Sequence, residues 1–554
     1  MKLMTNSTAQ KLRGGYYTPE VLADFITHWA FHDGVKNKVL EPSCGDGSFI
    51  RSLTENYQDH FNSCLAVELL EEEADKVRAF TSDNDKIKVI NGDFFTEYNY
   101  KLRNERFDLI IGNPPYIRYQ YLTPEQRETQ SSILTTNGMK SNKLINAWVS
   151  FLVASVELLE ENGKIGMVIP AELLQVAYAA DLRLFLEKNL SKITVITYEQ
   201  LVFPDVQQEV VLLLGEKGSV EENGQNKITV VELENAETTF EEISNTAVDY
   251  KPVDITKDKW TKYFLSNTEI NTVHSVVNSD YFLTFNDIAK VDIGITTGNN
   301  KFFSVNKETV EKFNLSQITL PLIGRSAHAH GIFFTTDDWE FNVTKGLPAQ
   351  LAQFPNEAIT EFPEGYKQYI REAEENGQNK GYKLGLRRHW YHIPSVYPPD
   401  AFFLRRNDTF PKFVLNDISA VSTDTMHRIR FFEGINPRKA LLSYYNSITL
   451  AFTEMEGRSY GGGVLEVLPG EVEKIVLPNL NDLDDDVTER LLEYVDQSIR
   501  TNENIDNMLD RIDREILINY IGLDEDTVLI FRKIWRKLMH RRNQRKKIKK
   551  SNNK

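Results

Sequence analysis

The chain has 554 residues, enough for more than one domain and for large hydrophobic cores. Its 41% hydrophobic content is ordinary for a globular protein, and it holds no apolar run of about eighteen residues and no apolar segment near its start, so neither a membrane span nor a secretory leader is indicated. The net charge of −16, taken alone, argues against a nucleic-acid partner, though total charge is a poor guide when the field is uneven, and Cys44 and Cys64 form neither a disulfide framework nor a metal pattern, which fits a reducing cytoplasm.

Residues 1–15 are polar and are expected to be mobile. An amphipathic helix is predicted over 21–30, with Thr18 as N-cap and Pro19 at the first helical position. Strand-like runs follow at 38–40, 64–68, 87–90, 109–111, 165–169, 193–198 and 210–214. Helical patterns lie between them at 47–57, 70–81, 147–159 and 179–189. Strands alternating with helices at this spacing predict an α/β fold, a Rossmann-like and mostly parallel sheet covered on both faces. Residues 216–226 read as a hairpin or surface loop, and the rhythm is lost near residue 250. Three segments are expected: 1–250, then a mixed α+β region over 251–483, then a helical extension with a basic tail over 484–554.

Four strand tips carry the chemistry. "VLEPSCGDGSF" (39–49) takes a strand into a turn whose Gly45 and Gly47 let the backbone approach a ligand, with Glu41 at the strand's carboxyl end. Its spacing is neither the dinucleotide nor the P-loop pattern. The second strand ends at Glu68, an acidic residue suited to ribose hydroxyls. The third ends at Asp93 and Phe94, an acceptor for an adenine amine and a ring to lie on it. Three acidic strand ends in succession describe a site for an adenosine-bearing cofactor.

The fourth strand stops at Gly112 and is followed by Asn113-Pro114-Pro115-Tyr116. The prolines fix φ and remove two N–H donors, leaving the Asn113 amide oxygen and the Pro114 carbonyl as two fixed acceptors. Tyr116 adds a flat surface. Two acceptors and a ring ask for a planar, amino-substituted base.

These motifs resemble those of the S-adenosylmethionine-dependent DNA adenine-N6 methyltransferases, and within them the gamma-ordered type II modification enzymes of the TaqI-like and Eco57I-like kind. "GGYYTPEVLADFITHWA" (14–30) is similar to their leading motif, "VLEPSCGDGSF" to the methionine-binding loop and "NPPY" (113–116) to the catalytic motif. The segment 146–174 resembles the helix and strand that follow, and "LVFPDVQQEVVLLL" (201–214) the strand pair bearing a base-stacking phenylalanine, here Phe203. The likeness is close over 14–215. Beyond that it rests on position and length, with "DIGITTGNNKFF" (292–303) and "GRSYGGGVLEVLP" (457–469) also similar.

The resemblance implies a class I methyltransferase domain followed by a DNA target-recognition domain. It implies that Tyr17, Thr18, Glu41, Pro42, Ser43, Cys44, Gly45, Gly47, Glu68, Asp93, Phe94 and Pro115 surround S-adenosylmethionine. Asn113, Pro114, Pro115 and Tyr116 would be the catalytic set, with Tyr116 and Phe203 holding the extruded adenine. The methionine loop has Ser43-Cys44-Gly45-Asp46-Gly47 where relatives vary, so Cys44 is not read as a nucleophile; direct transfer needs no covalent intermediate and no metal.

The expected partner is double-stranded DNA with a specific target, in the cytoplasm of a bacterium and at its nucleoid when on DNA. A restriction endonuclease would be encoded separately, or absent. The polar loop 117–143, with Arg118, Arg127, Lys140 and Lys143, is expected to close on DNA. Residues 380–439 hold eleven Lys/Arg against five Asp/Glu, and there Lys383, Arg387, Arg388, Arg405, Arg406, Arg428 and Arg430 are candidates for phosphate and base contacts. Trp390, Tyr391 and Tyr460 are candidate wedges. Rival readings are methylation of RNA adenine or of a protein glutamine amide, or an inactive DNA-binding regulator on the same fold.

Overall fold

The structure is a computed structural model that describes residues 17–142, 145–200, 202, 209–218, 226–244, 248–253, 258–408, 410–460 and 463–551. The start of the chain, Lys143 and Phe203 therefore lie outside the described residues. The chain divides into two compact units, Met1–Asn267 and Thr268–Lys554.

The first unit is built on one sheet. In chain order its strands are β1 (Lys36–Glu41), β2 (Phe61–Glu68), β3 (Ile87–Asn91), β4 (Phe107–Gly112), β5 (Leu159–Pro170), β6 (Lys192–Tyr198), β7 (Val210–Glu216), β8 (Lys227–Leu233) and β9 (Lys251–Pro252). They lie in the order β3-β2-β1-β4-β5-β7-β6-β8-β9. Strands β3 to β5 are parallel, and β7 runs antiparallel between β5 and β6. This is the doubly wound, mostly parallel α/β sheet expected. Leu109, Ile110 and Ile111 of β4 are fully buried because both faces are covered, which is why the run does not alternate.

The longer helices described in this unit are α1 (Glu20–Phe31), α2 (Ser48–Asn56), α3 (Glu71–Phe80), α4 (Pro124–Thr136), α5 (Ala147–Glu157) and α6 (Ala180–Asn189). The strand order reverses between β1 and β4, so the crevice beyond their carboxyl ends is the natural ligand position in such a sheet.

Four expectations change. Thr18 is not the N-cap of α1: Pro19 holds that position with no side-chain cap, and the Thr18 hydroxyl is used elsewhere. The segment 117–143 is not simply a polar loop, because Thr123-Pro124-Glu125-Gln126 starts α4 through a capping box, and Ile133 and Leu134 bury its apolar side. The hairpin alternative for 216–226 does not hold, since β8 pairs in parallel with β6 and not with β7, while residues 219–225 themselves lie outside the described residues. The unit also runs past residue 250. Trp260 is fully buried and donates to Glu187 at 2.6 Å, while the Arg183 guanidinium on α6 donates to the Asp258 carbonyl at 2.7 Å. Two anchors in a polar stretch are invisible to composition.

The second unit is mixed α+β. Strands β10 (Ala289–Ile293), β11 (Phe333–Phe334), β12 (Ala401–Leu404), β13 (Phe413–Asn416) and β14 (Met426–Phe431) form a sheet in the order β10-β14-β12-β13-β11. Residues 484–551 belong to this unit. Their last helix, Glu525–Ser551, packs Phe531 against Phe452 of the helix Ser447–Glu456, at 5.8 Å between rings. The Arg542 guanidinium donates to Glu454 at 2.7 Å, each side chain only 2% exposed. Arg532 pairs with Asp513, which also accepts from the Ser447 hydroxyl and amide. Such buried pairs cost stability mainly when one partner is lost. No helix among the described residues is long and apolar enough to cross a membrane.

Candidate active site

The tips of β1, β2 and β4 meet in one crevice. The turn after β1 is held by backbone: the Cys44 N–H donates to the Val67 carbonyl at 2.9 Å and the Gly47 N–H to the Cys44 carbonyl at 2.8 Å. Gly47 has φ +86°, and an added Cβ would lie 2.9 Å from Val77 and Phe80 carbons, so no other residue fits there. Glu68 ties the turn to its own strand tip. One carboxylate oxygen accepts from the Gly45 N–H at 2.9 Å, the other from the Leu70 N–H at 2.8 Å.

Glu41 is 1% exposed, and one of its oxygens has no hydrogen-bond partner among the described residues. Burial, with Glu68 and Asp46 beside it, raises its carboxyl well above the usual range. A buried acid with an open oxygen next to a second carboxylate suits a cationic ligand. Tyr17, exposed, lies by the glycine turn, with a ring carbon 4.0 Å from the position of a Cβ on Gly45, and its hydroxyl donates to Glu73 at 2.9 Å. Pro42 and Ser43 form the wall toward the fourth strand, the Ser43 hydroxyl donating to the Asn113 carbonyl at 3.2 Å. Cys44 is 4% exposed and burial pushes its thiol up, which removes it as a nucleophile at neutral pH.

Asn113 sits beyond β4 with both ends of its amide engaged. Its Nδ2 donates to the Thr18 hydroxyl at 3.2 Å, and its Oδ1 accepts from the Tyr116 hydroxyl at 2.9 Å. That hydroxyl is also 3.1 Å from the Val168 carbonyl of β5. The half-buried Tyr116 ring packs against the cores on both faces of the sheet. The Pro114 carbonyl accepts no hydrogen bond among the described residues. Pro115 follows, half-buried.

The third strand tip differs from expectation. Asp93 caps a short helix, accepting from the Thr96 N–H at 3.0 Å, and its other oxygen accepts from the Gln126 amide of α4 at 2.8 Å. Phe94 is 3% exposed and stacks on Phe151 with 4.9 Å between ring centres, so its face belongs to the core and not to a ligand. Gln126 had no signal in sequence beyond its place in the capping box.

The basic candidates separate into two kinds. Arg387 donates to the Thr296 carbonyl at 3.0 Å, and Arg428 to the Ile293 carbonyl at 3.0 Å. Arg405 and Arg406 both donate to Glu466, at 2.9 and 3.2 Å. Arg127 clamps the carbonyls of Tyr119 and Gln120. These are structural anchors, though Arg406 stays 69% exposed. Arg118, Lys383, Arg388 and Arg430 are exposed. Arg430 and Arg428 flank the Tyr397 ring at 4.8 and 4.2 Å. Trp390 donates to Glu374 and Tyr391 is 5% exposed with its hydroxyl on the Glu357 carbonyl, so neither is a free wedge. The Tyr460 side chain lies outside the described residues. Among the described residues no cluster of three or more His, Cys, Asp or Glu side chains is placed to hold a metal ion.

Two family models match the chain. Residues 46–203 match the Eco57I restriction-modification methylase, and residues 257–517 the C-terminal domain of the type II methyltransferase M.Eco57I. The chain is 25% identical over 524 residues to the type II methyltransferase M.AccI of Acinetobacter calcoaceticus, covering 91% of this chain and 93% of that protein. It is 25% identical over 477 residues to M.BanIII of Aneurinibacillus aneurinilyticus, covering 74% and 77%. Over 215 residues it is 29% identical to M.HincII of Haemophilus influenzae, covering 37% of each. The first match holds Glu68 and the Asn113–Tyr116 turn, the second most of the mixed α+β unit, and together they span more than half of the chain, which belongs to the Eco57I-type restriction-modification methylases, DNA methyltransferases.

Proposed function

We propose that this DNA methyltransferase transfers a methyl group from S-adenosylmethionine to N6 of an adenine extruded from double-stranded DNA. The observation that carries the reading is the Asn113 amide, held by Thr18 on its nitrogen so that its oxygen faces Tyr116. Oδ1 and the Pro114 carbonyl would accept the two N–H donors of the adenine amine and leave its lone pair directed at the methyl donor. The Tyr116 ring would support the base, with Phe203 as its implied partner. Extrusion costs a few kcal/mol, offset by these contacts.

Glu41, Glu68, Tyr17 and the Ser43–Gly47 turn would hold the cofactor. Glu41 supports this most, because its buried open oxygen suits the cationic methionine end. When bound, S-adenosylmethionine supplies an electrophilic methyl group and a neutral thioether leaving group, chemistry that calls for no metal. The protein's own contribution is positioning and a dry, fixed pair of acceptors. The second unit would read the target, with Arg388, Arg406 and Arg430 as its exposed cations toward DNA, and Arg118 would add one from the first unit.

Asn113→Ala tests the site. It should abolish methylation of duplex DNA while S-adenosylmethionine binding, measured by calorimetry, stays within a few-fold of wild type. Retained methylation would remove Asn113 from the reaction.

A further inference from the structure

In a chain with 80 acidic residues, positions 380–399 hold none, and they carry Lys380, Lys383, Arg387 and Arg388. The inner side of this segment is fixed. Leu384 and Ile393 are each 1% exposed, and the Arg387 guanidinium, bonded to the Thr296 carbonyl, lies 5.6 Å from the centre of the Phe303 ring. Gly298, at φ +80°, backs it so closely that an added Cβ would lie 3.0 Å from Leu384 Cδ2. The outer side is the reverse. Tyr382 is 84% exposed and Leu386 71%. They are four residues apart, and Leu386 continues the helical turn Tyr382–Gly385 with helical backbone angles, so the two side chains share one face. Lys383 and Arg388 are exposed beside them and form no ion pair among the described residues.

Two large apolar side chains thus stand outward on a turn packed from its inner side, beside two cations that form no ion pair among the described residues, and bury little of their surface. The combination matches the apolar wedges with which proteins unstack a base step while cations hold the flanking phosphates. We propose that this face docks on duplex DNA, with Tyr382 and Leu386 inserted at a base step from the minor groove and Lys383 and Arg388 on the adjoining phosphates. The proposal rests on the double-stranded DNA reading above, and it assigns the wedge to residues other than Trp390 and Tyr391.

The test uses the full-length protein and a 30-base-pair duplex, about three helical turns, carrying a site that sequencing shows the enzyme to modify. Duplex bending is read by energy transfer between dyes at its ends, and affinity by anisotropy across a salt series. Tyr382→Ala/Leu386→Ala should weaken binding by about ten-fold or more, as truncating an anchor does, lose the bend, and leave the salt slope unchanged. Lys383→Gln/Arg388→Gln should reduce the slope of log K against log salt by about 0.9 for each lost phosphate contact. Tyr382→Phe/Leu386→Met, which keeps the apolar bulk, should bend the duplex as wild type does; loss of bending in that pair would also count against a wedge. Tyr382→Ala/Leu386→Ala binding and bending like wild type overturns the proposal. Failure of wild type to bind any duplex overturns instead the DNA reading on which it rests.

Discussion

The Tyr116 hydroxyl donates to Asn113 Oδ1 at 2.9 Å and lies 3.1 Å from the Val168 carbonyl. One hydroxyl proton serves one acceptor at a time. With no base present it caps the oxygen that the reaction needs, and turning it to Val168 uncovers that oxygen without leaving the proton unsatisfied. Tyr116→Phe keeps the ring and removes this hold on the amide. Single-turnover methylation should slow by about two- to ten-fold, the worth of one hydrogen bond, with duplex affinity unchanged. A rate equal to wild type would show that the hydroxyl has no positioning role.

Thr18 is the other half of the same grip. Thr18→Val is nearly isosteric and removes only the acceptor for Asn113 Nδ2. Methyl transfer is expected to fall by about ten-fold, at the upper end of the range for one lost hydrogen bond, with little change in cofactor affinity. If the affinity drops and the rate constant does not, Thr18 serves the cofactor and not the amide.

Glu68 spends both carboxylate oxygens on backbone N–H groups, at Gly45 and Leu70. In Glu68→Gln one oxygen becomes an NH2 facing a donor. A hydrogen bond to a charged group is worth about 1.5–3 kcal/mol, so S-adenosylmethionine affinity should fall by about ten- to a hundred-fold as the turn loosens. Calorimetric titration reads this directly. Unchanged affinity would mean that the turn holds its shape without Glu68.

His328 gives the second unit a pH dependence. Burial, then the charge of Arg325 and the nearby His330, lower its imidazole from 6.5 to about 4. The Gly324 N–H donates to its Nδ1 at 3.2 Å, which fixes the neutral form. The folded protein thus binds this proton less readily than the unfolded chain. Its contribution to stability is fully present above pH 6.5, declines as the pH falls through the window down to about 4, and is gone below it. Melting curves of wild type and His328→Gln should converge as pH is lowered across that window. A constant gap would place His328 outside the titration.

The sheet was legible because the apolar runs of β1, β2 and β4 give way abruptly to Glu41, Glu68 and Gly112-Asn113, and a parallel order with one reversal brings these tips together. What sequence could not show is how each polar group is already spent. Asp93 looks like a ligand acceptor, yet capping and Gln126 occupy both oxygens. Phe94 has the right position in the chain, but at 3% exposure packing has claimed its ring. The arginines divide in the same way, since a guanidinium suits a carbonyl as well as a phosphate. Around residues 382–391 no regular period tells inward from outward, and so the buried Tyr391 reads as a wedge while the exposed Tyr382 and Leu386 go unnoticed.

The central claim is the identity of the methylated atom. Duplex DNA incubated with the full-length protein and isotopically labelled S-adenosylmethionine, then digested to nucleosides and resolved by mass spectrometry, measures it directly. The expected product is labelled N6-methyladenine, absent when Asn113→Ala replaces wild type. Label in a cytosine nucleoside, or only in RNA or protein substrates supplied in parallel, would contradict the account.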